Sequence, residues 1–282
     1  MSECEGNCNS CASSGNCSEE EKMGKEKLKN RLNNIKNKVM VMSGKGGVGK
    51  SSVSANLATS LAAQGLKVGL LDIDFHGPSI PRMFSVQHKR AEGTSDQNIL
   101  PIESNGVKLM SVGFLVPDDR AAVVWRGPMK MGVLEQLLKD VEWGELDYLI
   151  IDFPPGTGDE ALSACQLIDD AQGAIIVTTP QEVSLSDCRR SINFCHKLNL
   201  PVLGVIENMS GFVCPECGTR TDIFSTGGGK KMADTEKVPF LGEVPLDPAV
   251  MLACERGESY IQAHPDSVTA GVFRTIVERL EN

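Results

Sequence analysis

Positive charge is in deficit in this sequence: 28 lysines and arginines face 37 aspartates and glutamates, for a net charge of −9. With no broad positive field to attract a phosphate backbone, nucleic-acid binding is not expected. Long apolar runs are missing as well. None approaches the ~18 residues of a membrane helix, and no secretory leader opens the chain. The expectation is a cytoplasmic protein with no membrane partner. Histidine is scarce, and the four present (His76, His88, His196 and His264) show no metal-ligand spacing. Cysteine runs against this pattern. Ten cysteines in a reducing compartment read as thiol ligands rather than as a disulfide framework. At 282 residues and 41% hydrophobic, the chain can bury a full core and form one domain with a tail.

The organising stretch is Val39 to Ser54, VMVMSGKGGVGKSSVS. Val39, Met40, Val41 and Met42 read as a buried strand, and Val53, Leu57 and Leu61 share one face of a following helix. Between them, Gly44-x4-Gly49-Lys50-Ser51 fits the phosphate-loop pattern GxxxxGK[ST]. Gly44, Gly46, Gly47 and Gly49 lack the Cβ atoms that would keep backbone N–H groups from converging on phosphate oxygens. The helix N-terminus points its positive end at the same anion. The expected nucleotide-binding residues are Gly44, Lys45, Gly46, Gly47, Val48, Gly49, Lys50, Ser51 and Ser52. Lys50 would neutralise β- and γ-phosphate charge, and the Ser51 hydroxyl would hold Mg²⁺.

Carboxylates recur where later apolar runs stop. Lys67 to Asp74 reads as a buried strand ending in Asp72 and Asp74, and Leu146 to Asp152 has the Walker B pattern. Acidic residues at the ends of parallel strands face the crevice where nucleotide and Mg²⁺ sit. Asp152 and Asp72 are expected at the Mg²⁺ shell, and Asp74 is expected to orient the attacking water. Asp74-Phe-His-Gly77 and Pro154-Pro155-Gly156-Thr157-Gly158-Asp159 suit two switch loops. Further units are expected at Val107–Val116, Ala174–Pro180, Val183–Leu198, Val202–Ile206, Phe240–Val244 and Thr269–Leu280, with Pro245–Pro248 a turn and residues 84–106 a surface excursion. Gly227 to Lys231 lacks phosphate-loop spacing and reads as entry to a short helix. Arg126 and Lys130, in RGPMK before a helix to about Val141, receive no role from chemistry alone. Alternating strand and helix signals predict an α/β, doubly wound, mostly parallel sheet with a P-loop NTPase fold.

Placement of the cysteines matters more than their number. Cys4-x3-Cys8-x2-Cys11-x5-Cys17 lies in a tail too polar to form a core. Its four thiolates suffice for a [4Fe–4S] cluster or a tetrahedral zinc, with incidental cysteines a third reading. Residues 22–38, lysine-rich with Leu28, Leu32 and Ile35 at helical spacing, are expected to form a short docked helix. The division is then 1–37, tail and basic helix, and 38–282, an ATPase domain carrying Cys214 and Cys217. Cys214-Pro215-Glu216-Cys217 supplies half a site and no second pair follows. A two-fold axis would bring two such pairs together. A cluster across a dimer interface is favoured, with zinc or no metal as alternatives. Cys165, Cys188 and Cys195 read as small buried residues.

GKGGVGKS resembles the deviant Walker A motif of dimeric ATPases, in which the early lysine reaches the partner's nucleotide; Lys45 holds that position. With DIDFHGPSIP, WRGPMKMG, IIDFPPGTGD, ENMSGFVCPECG and VPLDP in the same order, Val39 to Arg279 resembles the Mrp-type family of iron–sulfur cluster carriers. The resemblance implies a homodimer, or a pairing with a related subunit, that binds ATP with Mg²⁺ and hydrolyses it slowly. It implies a [4Fe–4S] cluster held by Cys214 and Cys217 of two subunits and passed to apo iron–sulfur proteins. It also implies adenine recognition by Asn208, with Pro245 and Asp247 nearby. Cys8, Cys11 and Cys17 resemble the last three cysteines of a subgroup with an additional cluster, while Cys4 departs from that subgroup's longer first gap. The rivals are a positioning or partitioning switch ATPase, a zinc-stabilised ATPase, and a metal-storage or regulatory module.

Overall fold

The computed structural model describes residues 19–116, 126–214 and 216–281; the expected ligands Cys4, Cys8, Cys11 and Cys17 lie outside them. In chain order the elements are α1 (Glu19–Asn33), β1 (Ile35–Met42), α2 (Lys50–Ala63), β2 (Val68–Asp72), α3 (Ile80–Met83), β3 (Ile102–Ser104) and β4 (Val107–Ser111). Then come α4 (Gly127–Lys139), β5 (Leu146–Asp152), α5 (Asp159–Leu167), β6 (Gly173–Thr178), α6 (Glu182–Lys197) and β7 (Val202–Val213). The chain closes with β8 (Arg220–Thr221), α7 (Gly228–Glu236), β9 (Phe240–Leu246), α8 (Pro248–Arg256), α9 (Tyr260–Ala263) and α10 (Val268–Glu281).

The strands join in one sheet ordered β3-β4-β2-β5-β1-β6-β7-β8, with β9 also on β7. Only β3–β4 and β7–β8 pair antiparallel; the remaining pairings are parallel, as the α/β expectation requires. β2 and β6 are buried along their whole length, and β5 nearly so, because helices cover both faces and leave no position facing water. α2 packs with α10 and α9, α6 with α7, and α4 with α1 and α5. Trp143, Phe114, Phe153 and Phe273 are the bulkiest of the fully buried side chains between these layers.

Three local expectations are corrected. Ile35 belongs to β1, paired with Leu146, and not to the basic helix. The turn between helix and strand is held by Lys38, whose buried ammonium donates to the Leu32 and Ile35 carbonyls at 3.0 and 2.9 Å and pairs with Asp170 at 2.8 Å. Leu28 and Leu32 remain buried, so the helix docks by two residues of the expected stripe. Within the supposed excursion 84–106, Ile102–Ser104 forms an antiparallel edge strand on β4. β7 extends well past Ile206, to Val213, through a register shift between Asn208 and Phe212 where Met209 takes φ 57° and Gly211 φ 75°. Such a bulge re-aims the strand, and it carries β7 from the nucleotide end of the sheet to the Cys214 turn.

Candidate functional site

The site forms where β1, β2 and β5 end side by side. Asp72 and Asp152 are direct partners in the β2–β5 register, so two carboxylates stand together at the C-terminal edge of the sheet. Both are fully buried. Asp152 accepts hydrogen bonds from Lys50 Nζ at 2.8 Å, Ser51 Oγ at 2.5 Å and Ser54 Oγ at 2.7 Å. The serine hydroxyl and carboxylate expected to share a Mg²⁺ are therefore already in contact, and Lys50 neutralises the carboxylate between them. Asp72 is held instead by Ser111 Oγ at 3.1 Å and by the backbone N–H groups of Asp74 and Ile80. Burial, and after it the charge of Asp152, push the Asp72 carboxyl up to about 8.

The loop glycines divide into two kinds. A Cβ on Gly44 would lie 2.3 Å from the Asp187 backbone of α6, and one on Gly49 would lie 2.2 Å from Asn208 Nδ2. Those two glycines let protein pack against the loop. Gly46 and Gly47 have nothing within 4 Å of the Cβ position, so they leave the open side where phosphate oxygens would enter. Gly44 and Gly49 thus have a packing reason to lack a Cβ, besides the expected phosphate approach. Gly49 also N-caps α2 in the left-handed region with no side-chain acceptor, leaving the helix's first N–H groups for an anion. Lys45 is half-buried beside this opening and forms no ion pair among the described residues.

The second glycine run behaves differently. Glu207, fully buried, accepts from Gly227 N and Gly229 N, so its carboxylate fills the N-terminus of α7 and leaves no room for a phosphate there. Next to it, Asn208 Nδ2 donates to the Val48 carbonyl at 2.9 Å, linking β7 to the phosphate loop. Asn208 pairs with Val244 of β9, which brings Pro245 close. Asp247 caps α8 through Ala249 N, and its other oxygen accepts from Tyr260 Oη at 2.5 Å and Thr269 Oγ1 at 2.9 Å. Its side chain is committed to this network.

Asp74 turns its carboxylate back on its own loop, accepting from His76 N and Gly77 N at 3.1 Å each. A cleft of about 490 Å³ separates this loop from Pro154, Pro155 and Gly158 of the second one. Gly156 N donates to the Ser43 carbonyl at 2.8 Å, which ties that second loop to the entrance of the phosphate loop.

Cys214 and Cys217 close the β7–β8 hairpin. Gly218 N donates to the Cys214 carbonyl at 2.9 Å and Cys214 N to the Thr219 carbonyl at 3.0 Å. Cys217 is exposed and Cys214 half-buried. Contact with the Thr219 hydroxyl, 3.3 Å away, and then with nearby backbone and the Cys214 thiol, holds the Cys217 thiol below the usual range. Among the described residues no cluster of three or more His, Cys, Asp or Glu side chains could hold a metal, so the thiol pair stands as half a site. By contrast, burial pushes Cys165 up to about 11 and Cys195 up to about 12. Sequence reasoning missed Lys130, Glu160 and Thr219. Spacing cannot report the Lys130–Glu160 contact between α4 and α5, and Thr219, two residues from Cys217, belongs to no motif of its own.

No helix among the described residues is long and apolar enough to cross a membrane. A family model described as ParA, the NUBPL iron-transfer P-loop NTPase, matches residues 34–281. The chain is 46% identical to an iron–sulfur cluster carrier protein of Methanocaldococcus jannaschii, over 100% of this chain and 99% of the relative. It is 50% identical to the cytosolic Fe–S cluster assembly factor CFD1 of Kluyveromyces lactis, over 89% and 92% of the two chains. Among solved structures, a nucleotide-binding protein of Archaeoglobus fulgidus in complex with ADP aligns with TM-score 0.74 at 39% identity, covering 84% of this chain and 92% of that one. The cell-division ATPase MinD of Pyrococcus furiosus has the same fold, with TM-score 0.64 at 24% identity over 87% and 98%. By its phosphate loop, its paired strand-end carboxylates and this match over nearly its whole length, the chain belongs to the ParA-type family of iron-transfer P-loop NTPases.

Proposed function

We infer that this protein is an ATP-dependent iron–sulfur cluster carrier: a slow ATP hydrolase that loads a [4Fe–4S] cluster and passes it to apo-proteins. One observation carries the coupling of the two activities. β7 touches the phosphate loop through Asn208 and ends at Val213, immediately before Cys214, so one strand links the nucleotide end to the thiols. Six residues separate Asn208 from Cys214, at most about 20 Å at roughly 3.3 Å per extended residue, and the bulge shortens this.

At the nucleotide end, hard oxygen donors from Ser51 and Asp152 fit Mg²⁺, which supplies charge neutralisation for the β- and γ-phosphates when bound. Lys50 leaves Asp152 for the phosphate oxygens as the carboxylate's charge is taken up elsewhere. The α2 N–H groups, together with the open backbone at Gly46 and Gly47, orient the phosphates. Asp72 supports the water shell, and Asp74, released from its loop hydrogen bonds, orients the attacking water. Lys45 reaches across to the nucleotide of a second subunit. Asn208 turns its amide from Val48 to adenine, beside Pro245 and the Asp247 backbone.

At the other end, Cys214 and Cys217 supply two thiolates, and the same pair from a second copy or a related subunit completes four ligands. The tail cysteines Cys4, Cys8, Cys11 and Cys17 hold a second cluster. Apo iron–sulfur proteins are the acceptors. The test is anaerobic reconstitution with iron and sulfide of the wild type, Cys214→Ala/Cys217→Ala, and a chain lacking residues 1–20. Loss of about four iron per dimer in the double variant, and of a separate set in the truncation, is expected. A wild type that binds no iron and retains tight zinc would refute the carrier reading.

A further inference from the structure

The segment Arg126 to Lys130, to which sequence chemistry assigns nothing, places a lysine between the Asp74 loop and the start of α5. Lys130 sits in the first turn of α4, which carries no acidic residue. A cation there opposes the helix macrodipole. Its side chain is also only 13% exposed. Local helix stability therefore argues against this residue, and its partners must supply the compensation.

Those partners come one from each loop. The ammonium donates to Glu160 Oε1 in a short ion pair, and Glu160 lies in the first turn of α5, directly behind Pro154–Gly158. It also lies 3.0 Å from His76 Nε2, in the loop that Asp74 closes. The same His76 Nε2 lies 3.4 Å from Glu160 Oε1, so lysine, carboxylate and imidazole meet at one point. Phe75 of the same loop presents its ring centroid 6.0 Å from the ammonium. Carried on α4, the Lys130 ammonium thus joins Glu160 of α5 to His76 and Phe75 of the Asp74 loop.

We propose that Lys130 is a positioning residue for ATP hydrolysis, tying the Asp74 loop to the loop ahead of α5 so that the two switch loops move together. The proposal rests on the hydrolysis reading above. Its test compares steady-state ATP hydrolysis by the full chain with Lys130→Met, Lys130→Arg, Glu160→Gln and Lys130→Met/Glu160→Gln, alongside Lys50→Ala and thermal unfolding of each. Methionine keeps the aliphatic stem and removes the charge. Lys130→Met is expected to lower kcat by about tenfold or more, with KM within about twofold because the phosphate loop is untouched. Lys130→Arg recovers most of the rate. The double variant is no slower than Lys130→Met, since both remove one linkage. Wild-type kcat in Lys130→Met overturns the proposal. So does a loss that matches the unfolded fraction and is not recovered by arginine, which would make the residue structural. Hydrolysis that survives Lys50→Ala does not arise at this phosphate loop, which refutes the site assignment and this proposal with it.

Discussion

Replacing Gly49 by alanine measures how tightly β7 is locked to the phosphate loop. Gly49 has φ 78°, where an L-residue with a Cβ costs about 1–2 kcal/mol. The added Cβ would also stand 2.2 Å from Asn208 Nδ2, so the amide must withdraw from the Val48 carbonyl that it reaches at 2.9 Å. A buried polar group left unpaired adds about 1–3 kcal/mol, for a total of roughly 2–5 kcal/mol. Gly47 provides the control. Its φ is 79° and nothing lies within 4 Å of its Cβ position, so Gly47→Ala carries the backbone cost alone. The two substitutions should differ by about 1–3 kcal/mol. Urea unfolding without nucleotide reads this difference free of any phosphate contact. Asn208→Ala combined with Gly49→Ala should cost less than the two singles summed, because the lost hydrogen bond is then counted once. Equal unfolding midpoints for Gly49→Ala and Gly47→Ala would refute the reasoning.

Three further perturbations have expected outcomes. Asp152→Asn leaves the Lys50 ammonium buried without its counter-charge, costing about 3–5 kcal/mol, partly offset because Asp72 no longer faces a neighbouring carboxylate. Hydrolysis should fall by ~100-fold or more, and an Asn variant with wild-type stability and rate would contradict the assigned site. In anaerobic apo-protein, mapping of iodoacetamide adducts should find Cys217 modified well ahead of Cys165, Cys188, Cys195 and Cys254, whose thiols burial pushes up. Because the Thr219 hydroxyl holds the Cys217 thiol down, Thr219→Val should move the alkylation–pH curve to higher pH. Early labelling of Cys195, or an unmoved curve, would count against that environment.

Much of the nucleotide site was legible because its chemistry is local in sequence. Lys50, Ser51 and the glycines around them fall within one turn, and Asp72 and Asp152 each end an apolar run, so spacing alone put them at strand ends. What spacing could not resolve was which of the glycines are also hemmed in by protein. Gly44 and Gly49 are hemmed in by Asp187 and Asn208, residues far along the chain. The end of the basic helix was misjudged for the same reason. Ile35 continues the helical stripe by period, yet pairing with Leu146 and the Lys38 hydrogen bonds to Leu32 and Ile35 draw it into the sheet.

From sequence alone follow the α/β class, the phosphate loop, the family and the pair of thiols at Cys214 and Cys217. These depend on residue type and on periods of two to four residues, which are written in the chain before it folds. Tertiary structure alone decides that Glu207 fills the second glycine run, that Asp247 is committed to Tyr260 and Thr269, and that Lys130 bridges His76 and Glu160. Each of these joins side chains from separate elements. Their partnership arises only when parallel strands in the order β4-β2-β5-β1-β6-β7 bring distant chain ends to one edge of the sheet.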